Sequence, residues 1–299
     1  MKLVESHRTR HLEKRGVPGL PRWRRWAAPT AVLLASLVQS ACVTTHNYLD
    51  PTGPRYEGRY APPPATDGTA APSDALRVVT FNTEFGRKIE GAVALLGDSE
   101  ALRGADILLL QEVDPSAVER VAHDLRLNYV YFPGGVHPFS KRDFGAAILS
   151  PWPLDEARKI ILPHAAFITN VRRAATSATV LRGPDRIRIY SVHLPAPGAV
   201  SDDERHEQVR VLVNDASRSA DAVVIGGDFN SRSVGKWFEQ AGYRWLTKDV
   251  PGTARRFHVW WSLDHVFARG LMPAGDGRTA GFVDSAGTSD HRVVWVRLR

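Results

Sequence analysis

The hydrophobic and polar positions divide the chain into an irregular amino-terminal part and a regularly patterned remainder. From residue 77 onward, short apolar runs typical of buried strands alternate with stretches whose apolar residues recur at helical spacing. The pattern predicts strands at 77–81, 105–110, 129–132, 145–150, 174–181, 187–193 and 222–225, and helices near 91–96, 115–125 and 203–219. Strands mixed with helices in this way predict an α/β fold, a four-layer sandwich in which two mixed β-sheets pack face to face between helices.

Polar side chains follow the ends of these apolar runs. The most distinctive example is GGDFNS at 226–231, where two glycines allow a sharp turn after a buried strand and present Asp228 and Asn230 at the sheet rim. Five other strand-like runs offer Asn82 and Glu84, Glu112, His193, Asp264, and Asp290 with His291. A single Asp or Asn after a strand is usually a turn or cap residue, so each of these six sites is a weak signal when it is taken separately.

In this order the motifs resemble the endonuclease/exonuclease/phosphatase superfamily, which has the deoxyribonuclease I-like fold. The resemblance covers essentially all of 77–299, including GAAILS at 145–150 and Arg205 with Gln208 ahead of GGDFNS. It implies hydrolysis of a phosphate ester with a divalent cation, Mg²⁺ or Mn²⁺. Such a reaction needs neutralisation of the phosphate charge, an activated water and a proton for the leaving oxygen.

The resemblance also implies roles for individual residues. Glu112 is expected to be the principal metal ligand. Asn82, and Glu84 through a water molecule, are expected to assist it, and Asp290 is expected to contribute on the far side of the metal. Asp228 and Asn230 match the pair that orients the attacking water and holds a phosphate oxygen. His291 is expected to contact the phosphate, Asp264 to orient the His291 ring, and His193 to serve as the general acid.

Some assignments stay open at this level. In the deoxyribonuclease branch a glutamate supports the histidine at the His193 position, but no motif supplies it here and Asp143 is a poor candidate, so a water or a backbone carbonyl is the alternative. Arg142 and the neighbouring Lys141 could bind phosphate or could belong to a basic loop that faces only solvent. Trp260 and Trp261 could form an aromatic lip for a base or a lipid, or pack in the core, and no exposed aromatic hairpin is evident.

The pI of about 9.7 at first suggests a nucleic-acid substrate, but the distribution of charge along the chain gives this suggestion little support. Residues 1–76 hold 10 Lys/Arg and 6 Asp/Glu, which leaves 29 basic and 26 acidic side chains in 77–299. The remaining excess of three positive charges, with short loops, argues mildly against tight binding of duplex nucleic acid. About 220 residues suffice for one domain, expected to be a monomer.

The first 42 residues have the layout of an export signal. Arg22, Arg24 and Arg25 precede an uncharged stretch at 26–42 whose apolar centre is too short for a comfortable membrane span. It closes at Ser-Ala-Cys42, which resembles a lipoprotein processing site, although Gln39 stands where a small or aliphatic residue is usual. We therefore expect an exported protein, either a membrane-tethered lipoprotein or a periplasmic or secreted form.

The Pro/Gly/Ala-rich residues 43–76 are expected to form an extended tether that holds the catalytic domain, 77–299, away from a membrane. The predicted function is a metal-dependent phosphoesterase, most simply a phosphodiesterase. The alternatives are a nuclease acting on DNA or RNA, a phospholipid or sphingolipid head-group hydrolase, a phosphomonoesterase, and a non-catalytic binding module that kept the fold.

Overall fold

Two β-sheets packed face to face form the centre of the molecule. The structure, a computed structural model, describes residues 45–63, 75–219, 221–275 and 277–299, all of which belong to one unit, Val43–Arg299. The predicted leader at 1–42 lies outside the described residues. None of the helices in these described ranges has the length and apolar content required to cross a bilayer.

Sixteen strands and four helices occur in the described ranges. The strands are β1 (His46–Asn47), β2 (Tyr56–Arg59), β3 (Leu76–Asn82), β4 (Ile107–Val113), β5 (Asn128–Val136), β6 (Asp143–Ser150), β7 (Leu154–Ala165), β8 (Arg172–Arg182), β9 (Asp185–His193), β10 (Ala222–Asp228), β11 (Arg244–Trp245), β12 (Ala254–Arg256), β13 (Val259–Trp261), β14 (Asp264–Arg269), β15 (Ala280–Val283) and β16 (Val293–Leu298). The helices are α1 (Ile89–Asp98), α2 (Pro115–Asp124), α3 (Asp202–Ala216) and α4 (Val234–Gln240).

The strands form two mixed sheets and one hairpin. The first sheet has the order β1-β5-β6-β4-β3-β16-β15, with β2 also paired to β5, and the second has the order β11-β14-β10-β9-β8-β7. Strands β3 and β4 run parallel, as do β9 and β10, whereas β14 and β16 run antiparallel to their neighbours. Strands β12 and β13 form a separate two-stranded hairpin.

Three layers of buried side chains separate the four layers of backbone. Ile107 and Val224 belong to the cluster between the two sheets. On the outer face of the first sheet, Phe81 packs with Val118 of α2, and on the outer face of the second, Ile225 packs with Leu212 of α3. The predicted four-layer α/β sandwich is therefore confirmed, and the unit contains a complete core of its own.

Local sequence explains where the flanking helices begin. Asp114 accepts a hydrogen bond from the Ala117 backbone N–H, and Pro115 occupies the first position of α2, where its missing N–H costs nothing. Helix α3 begins with a reciprocal capping box between Ser201 and Glu204. Both helices start within two residues of the predicted positions.

Several elements were not predicted, among them short strands such as β11 and β15, the long strand β7 and the helix α4. Strand β7 lacks a regular alternation of apolar and polar residues. It lies at a sheet edge and is interrupted by two register shifts, so charged residues are tolerated along it. The seven-residue α4 is too short for a clear helical period. Strands β5 and β6 extend beyond the predicted runs at 129–132 and 145–150, and residues 137–142 connect them.

The tether predicted at 43–76 is wrong for the part that the structure describes. Strands β1 and β2 both add to one edge of β5. The hydroxyls of Tyr48 and Tyr56 donate to opposite oxygens of Asp143, and Lys159 donates to the Gly53 carbonyl. Strand pairing and partly buried hydrogen bonds fix these residues in spite of their proline and glycine content. The sandwich therefore begins about thirty residues before the predicted boundary at 77.

Candidate active site

The strand pairings bring the predicted site residues to one edge of the sandwich. Because β3 and β4 are parallel, Asn82 lies beside Gln111, and Glu112 follows it. In the second sheet, the register places Asp228 directly opposite His193 on one side and Asp264 on the other. His291 lies just before β16 and forms an isolated bridge with Ala254.

Asp228 is the fully buried centre of the cluster. One of its oxygens, Oδ2, accepts hydrogen bonds from the side-chain amides of Asn82 at 3.0 Å and Asn230 at 3.1 Å, and Oδ1 accepts from the Asn230 backbone N–H at 2.9 Å. The bond from Asn82 crosses from the first sheet to the second. Burial raises the pKa of Asp228 to about 6 in spite of these donors and of His291 nearby.

Gly227 explains how the chain reaches this position. Its φ is 146°, and a Cβ at this residue would lie 1.9 Å from the Val192 carbonyl oxygen. Only glycine therefore lets β10 approach β9 closely enough to align Asp228 with His193.

Glu112 occupies a strained position at a β-bulge. The register between β4 and β6 shifts across Gln111 and Val113, and Glu112 between them adopts a φ of 57°. A left-handed backbone conformation inside a strand changes the direction in which the side chain points. It is unfavourable for a non-glycine residue, and backbone strain of this kind is concentrated at functional sites. Burial raises the pKa of Glu112 to about 7.

His291 and Asp264 form a buried ion pair. His291 Nδ1 lies 2.8 Å from Asp264 Oδ2, which also accepts from the Thr253 hydroxyl at 2.7 Å. Burial alone would lower the pKa of His291, but Asp264 and Asp228 raise it to about 10. His291 is therefore cationic at neutral pH, with Nε2 directed to Asp228 Oδ2 at 3.8 Å.

His193 has an unexpected neighbour. Its Nε2 lies 3.5 Å from Asp228 Oδ2 and 3.7 Å from Glu112 Oε1, and Nδ1 faces Arg173 Nη1 at 3.5 Å. Within the described residues no carboxylate reaches Nδ1, and Asp143 instead binds two tyrosines. Because arginine can only donate, this contact leaves Nδ1 as the acceptor and places the proton on Nε2.

The same arrangement keeps His193 neutral. Burial, followed by the charge of Arg173, lowers the pKa of His193 well below its ordinary value. A neutral imidazole with its proton on Nε2 can donate a hydrogen bond to a phosphate oxygen, but it has no second proton to release as an acid.

Two arginines that the sequence did not single out lie in the cluster. Arg173 stacks on the Phe144 ring at 4.5 Å, and Arg256 Nη2 donates to Asn230 Oδ1 at 3.2 Å. In each, the buried Nε has no hydrogen-bond partner within the described residues. The only sequence signal was that each is the second of an Arg-Arg pair, at the start of β8 and the end of β12. Unpaired guanidinium donors beside buried histidines favour an anionic ligand.

Two of the predicted site residues, Glu84 and Arg142, have side chains engaged outside this cluster, and a third, Asp290, lies at its rim. Glu84 pairs with Arg87 at 2.8 Å, and Arg142 donates to Asp114 at 2.7 Å and to the Phe85 carbonyl. Asp290 is half-exposed at the rim, 4.0 Å from His291 Nε2. The structure thus brings together Asn82, Glu112, His193, Asp228, Asn230, Asp264 and His291.

The cluster contains donors that suit a hard divalent cation. Asp228, Asp264 and His291 each place one ligand atom within 4.8 Å of the others. Both carboxylates of this group already accept hydrogen bonds, Asp264 from Thr253 and His291 and Asp228 from Asn82 and Asn230. The carboxylates of Glu112 and Asp228, with the amide of Asn82 nearby, make the more oxygen-rich side, and oxygen ligands fit Mg²⁺ or Mn²⁺.

Comparison with solved structures gives the same fold in several proteins. A humanized TDP2 from D. rerio matches with a TM-score of 0.61 and 18% identity, over 76% of this chain and 100% of that one. D. rerio TDP2 complexed with a single-strand DNA product matches with a TM-score of 0.60 and 17% identity, over the same shares. An endonuclease/exonuclease/phosphatase family protein from Leptotrichia buccalis matches at 0.60 and 15%, over 75% and 99%.

Sequence comparison gives the family more directly. Among curated proteins none matches this chain. The model of the Endonuclease/Exonuclease/phosphatase family matches residues 79–291, which include every residue of the cluster. The matched segment is well over half of the chain. The chain therefore belongs to the endonuclease/exonuclease/phosphatase family.

Proposed function

We propose that this protein is a divalent-metal-dependent phosphodiesterase. The observation that carries the proposal is a buried group of charged side chains: Asp228, Asp264 and His291 each place one ligand atom within 4.8 Å of the others, and the Glu112 carboxylate interacts with Asp228 and His291. Beside them, the Nε donors of Arg173 and Arg256 have no hydrogen-bond partner within the described ranges. Carboxylates supply ligands for a cation, and cationic His291 with the two arginines offers donors for non-bridging phosphate oxygens. A bound Mg²⁺ or Mn²⁺ would supply charge neutralisation at the phosphate.

The protein's own groups divide the remaining work. Asp228, held on both oxygens, can accept a proton from an attacking water near neutral pH. Arg173 and Arg256 hold the phosphate, and His291 is kept cationic and oriented by Asp264. Neutral His193 donates a hydrogen bond from Nε2 toward a phosphate or leaving-group oxygen, and the leaving oxygen takes its proton from solvent while Asp228 holds the proton of the attacking water.

A panel of hydrolysis assays would show which class of phosphate ester the protein cleaves. The purified protein would be given bis-(p-nitrophenyl) phosphate, p-nitrophenyl phosphate, plasmid DNA, RNA, sphingomyelin and inositol phosphates with Mg²⁺. We expect Mg²⁺-dependent cleavage of the diester in preference to the monoester. Equal activity in EDTA would exclude the metal-dependent mechanism, and inactivity on every diester would support the non-catalytic alternative.

The proposal extends to export. Its support is the basic front, the apolar stretch and Cys42 within residues 1–42. Fractionation of cells that express the full chain tests it, since an exported protein should be absent from the cytosolic fraction.

A further inference from the structure

Large hydrophobic side chains are exposed on one edge of the molecule far more than elsewhere. Among the described residues, nine such side chains are at least 42% exposed. Leu49 and Met272 are two of them. The other seven lie on three segments, which we term the apolar tips: residues 137–142 with Phe139, residues 166–171 with Phe167 and Ile168, and residues 254–261 with Phe257, Val259, Trp260 and Trp261.

Each tip adjoins the candidate active site. In the first, the His137 ring lies 5.1 Å from Phe144, which in turn contacts His193. The second precedes β8, whose second residue is Arg173. The third is the β12–β13 hairpin, whose Arg256 bonds to Asn230. The open aromatic hairpin that the sequence did not reveal is therefore present, and its tryptophans are not core residues.

The tips combine apolar exposure with positive charge. Residues 137–142 and 254–261 contain Lys141, Arg142, Arg255 and Arg256, and none of the three tips contains Asp or Glu. Lys141 and Arg255 are exposed to solvent. Aromatic side chains beside basic ones, without acids, are the composition of surfaces that rest on anionic membranes.

The chain also enters the domain between two of the tips. His46 pairs with Val136, next to the first tip, and the Asn47 side chain bonds to Asn170 and to the Arg172 backbone, at the second. The first described residues of the domain therefore lie at the same edge as the first and second tips.

We propose that the three apolar tips dock the active-site edge onto an anionic phospholipid surface. The aromatic residues would enter the head-group region while Lys141 and Arg255 meet lipid phosphates. The aliphatic side chains Ile168 and Val259, and the absence of a cation in the second tip, fit a lipid phase better than a nucleic acid, whose bases stack on aromatic rings and whose phosphates require cations. This docking goes beyond the proposed hydrolysis and does not depend on it.

The test uses residues 43–299, which contain the complete core, and vesicles of phosphatidylglycerol and phosphatidylcholine in equal parts. The tip variant replaces one phenylalanine from each tip: Phe139→Ser, Phe167→Ser and Phe257→Ser. The matched control replaces the two exposed hydrophobic residues outside the tips, Leu49→Ser and Met272→Ser. Both variants must keep the unmodified circular dichroism spectrum, and single Phe→Ser variants replace the triple one if it does not fold.

We expect the unmodified protein and the matched control to sediment with the anionic vesicles. Burying one large apolar side chain changes a partition constant about tenfold or more, so the tip variant should bind at least tenfold less. Glu112→Gln should bind like the unmodified protein, which separates docking from catalysis. No vesicle binding by the unmodified protein, equal loss in the matched control, or tip-dependent binding to a single-stranded oligonucleotide instead of vesicles would overturn the proposal.

Discussion

At the scale of single residues, the pKa of Glu112 links metal binding to pH. Burial raises this pKa to about 7, so in the metal-free protein the carboxyl group is protonated below that pH and a cation must displace the proton. We expect Mg²⁺ affinity to rise up to about tenfold per pH unit below 7 and to level off above it.

Titration calorimetry at several pH values between 5.5 and 8 would measure this dependence. Glu112→Gln should bind the cation weakly and without the rise near pH 7, while keeping the melting temperature of the unmodified domain. An affinity that is flat with pH in the unmodified protein would place the cation elsewhere.

His193 offers a test of whether it works as an acid or as a hydrogen-bond donor. His193→Ala should lower turnover by more than about a hundredfold, as should Asp228→Asn. Because neutral His193 donates from Nε2 but cannot release a second proton, His193→Gln, which restores an N–H donor, should recover at least about tenfold of the loss. Equal rates in the Ala and Gln variants on the same diester would instead support the general acid that the sequence resemblance implies.

At the scale of elements, the contact between β9 and β10 depends on Gly227. Gly227→Ala would place a Cβ 1.9 Å from the Val192 carbonyl and force an unfavourable φ. We expect it to lower the free energy of unfolding by about 3 kcal/mol or more. Gly104, with a φ of 67° and no atom within 4 Å of an added Cβ, is the matched control and should cost roughly 1–2 kcal/mol. Urea unfolding of both variants makes the comparison, and equal losses would refute the close-approach explanation.

The strands and their polar ends could be predicted from sequence, but several side-chain environments could not. Apolar runs closed by Asp228, Glu112 and His193 carry a local signal, because strand period and turn residues are local properties. The position of Arg173 beside His193 depends on the pairing of β8 with β9, and the packing of residues 45–63 depends on a free edge of β5. Whether Trp260 and Trp261 are buried is likewise set by tertiary contacts alone.

At the scale of the whole molecule, the segment 45–63 should stabilise the sandwich. Without it, the edge of β5 loses two strands, and Asp143 loses both tyrosine donors. A protein that begins at residue 75 should therefore melt several degrees below one that begins at residue 43. Matching melting curves would restore the view that these residues are only a tether.

The amino terminus gives a prediction on the same scale. If Cys42 is acylated, Cys42→Ser should release or misprocess the protein without changing the activity of the soluble domain. Mass spectrometry of the mature terminus separates the outcomes: a lipid-modified Cys42 indicates a lipoprotein, an unmodified new terminus indicates simple secretion, and an intact Met1 indicates an uncleaved anchor.

The hydrogen bond from Asn82 to Asp228 joins the last residue of a strand in one sheet to the last residue of a strand in the other. Nearby, the Gln111 side chain donates to the Ser191 hydroxyl across the same interface. These two hydrogen bonds connect the two sheets at the site. If one sheet slides over the other, they should therefore break before the strands within either sheet separate. Turnover therefore depends on the alignment of the two sheets. We expect activity to be lost at, or slightly below, the temperature at which the domain melts cooperatively.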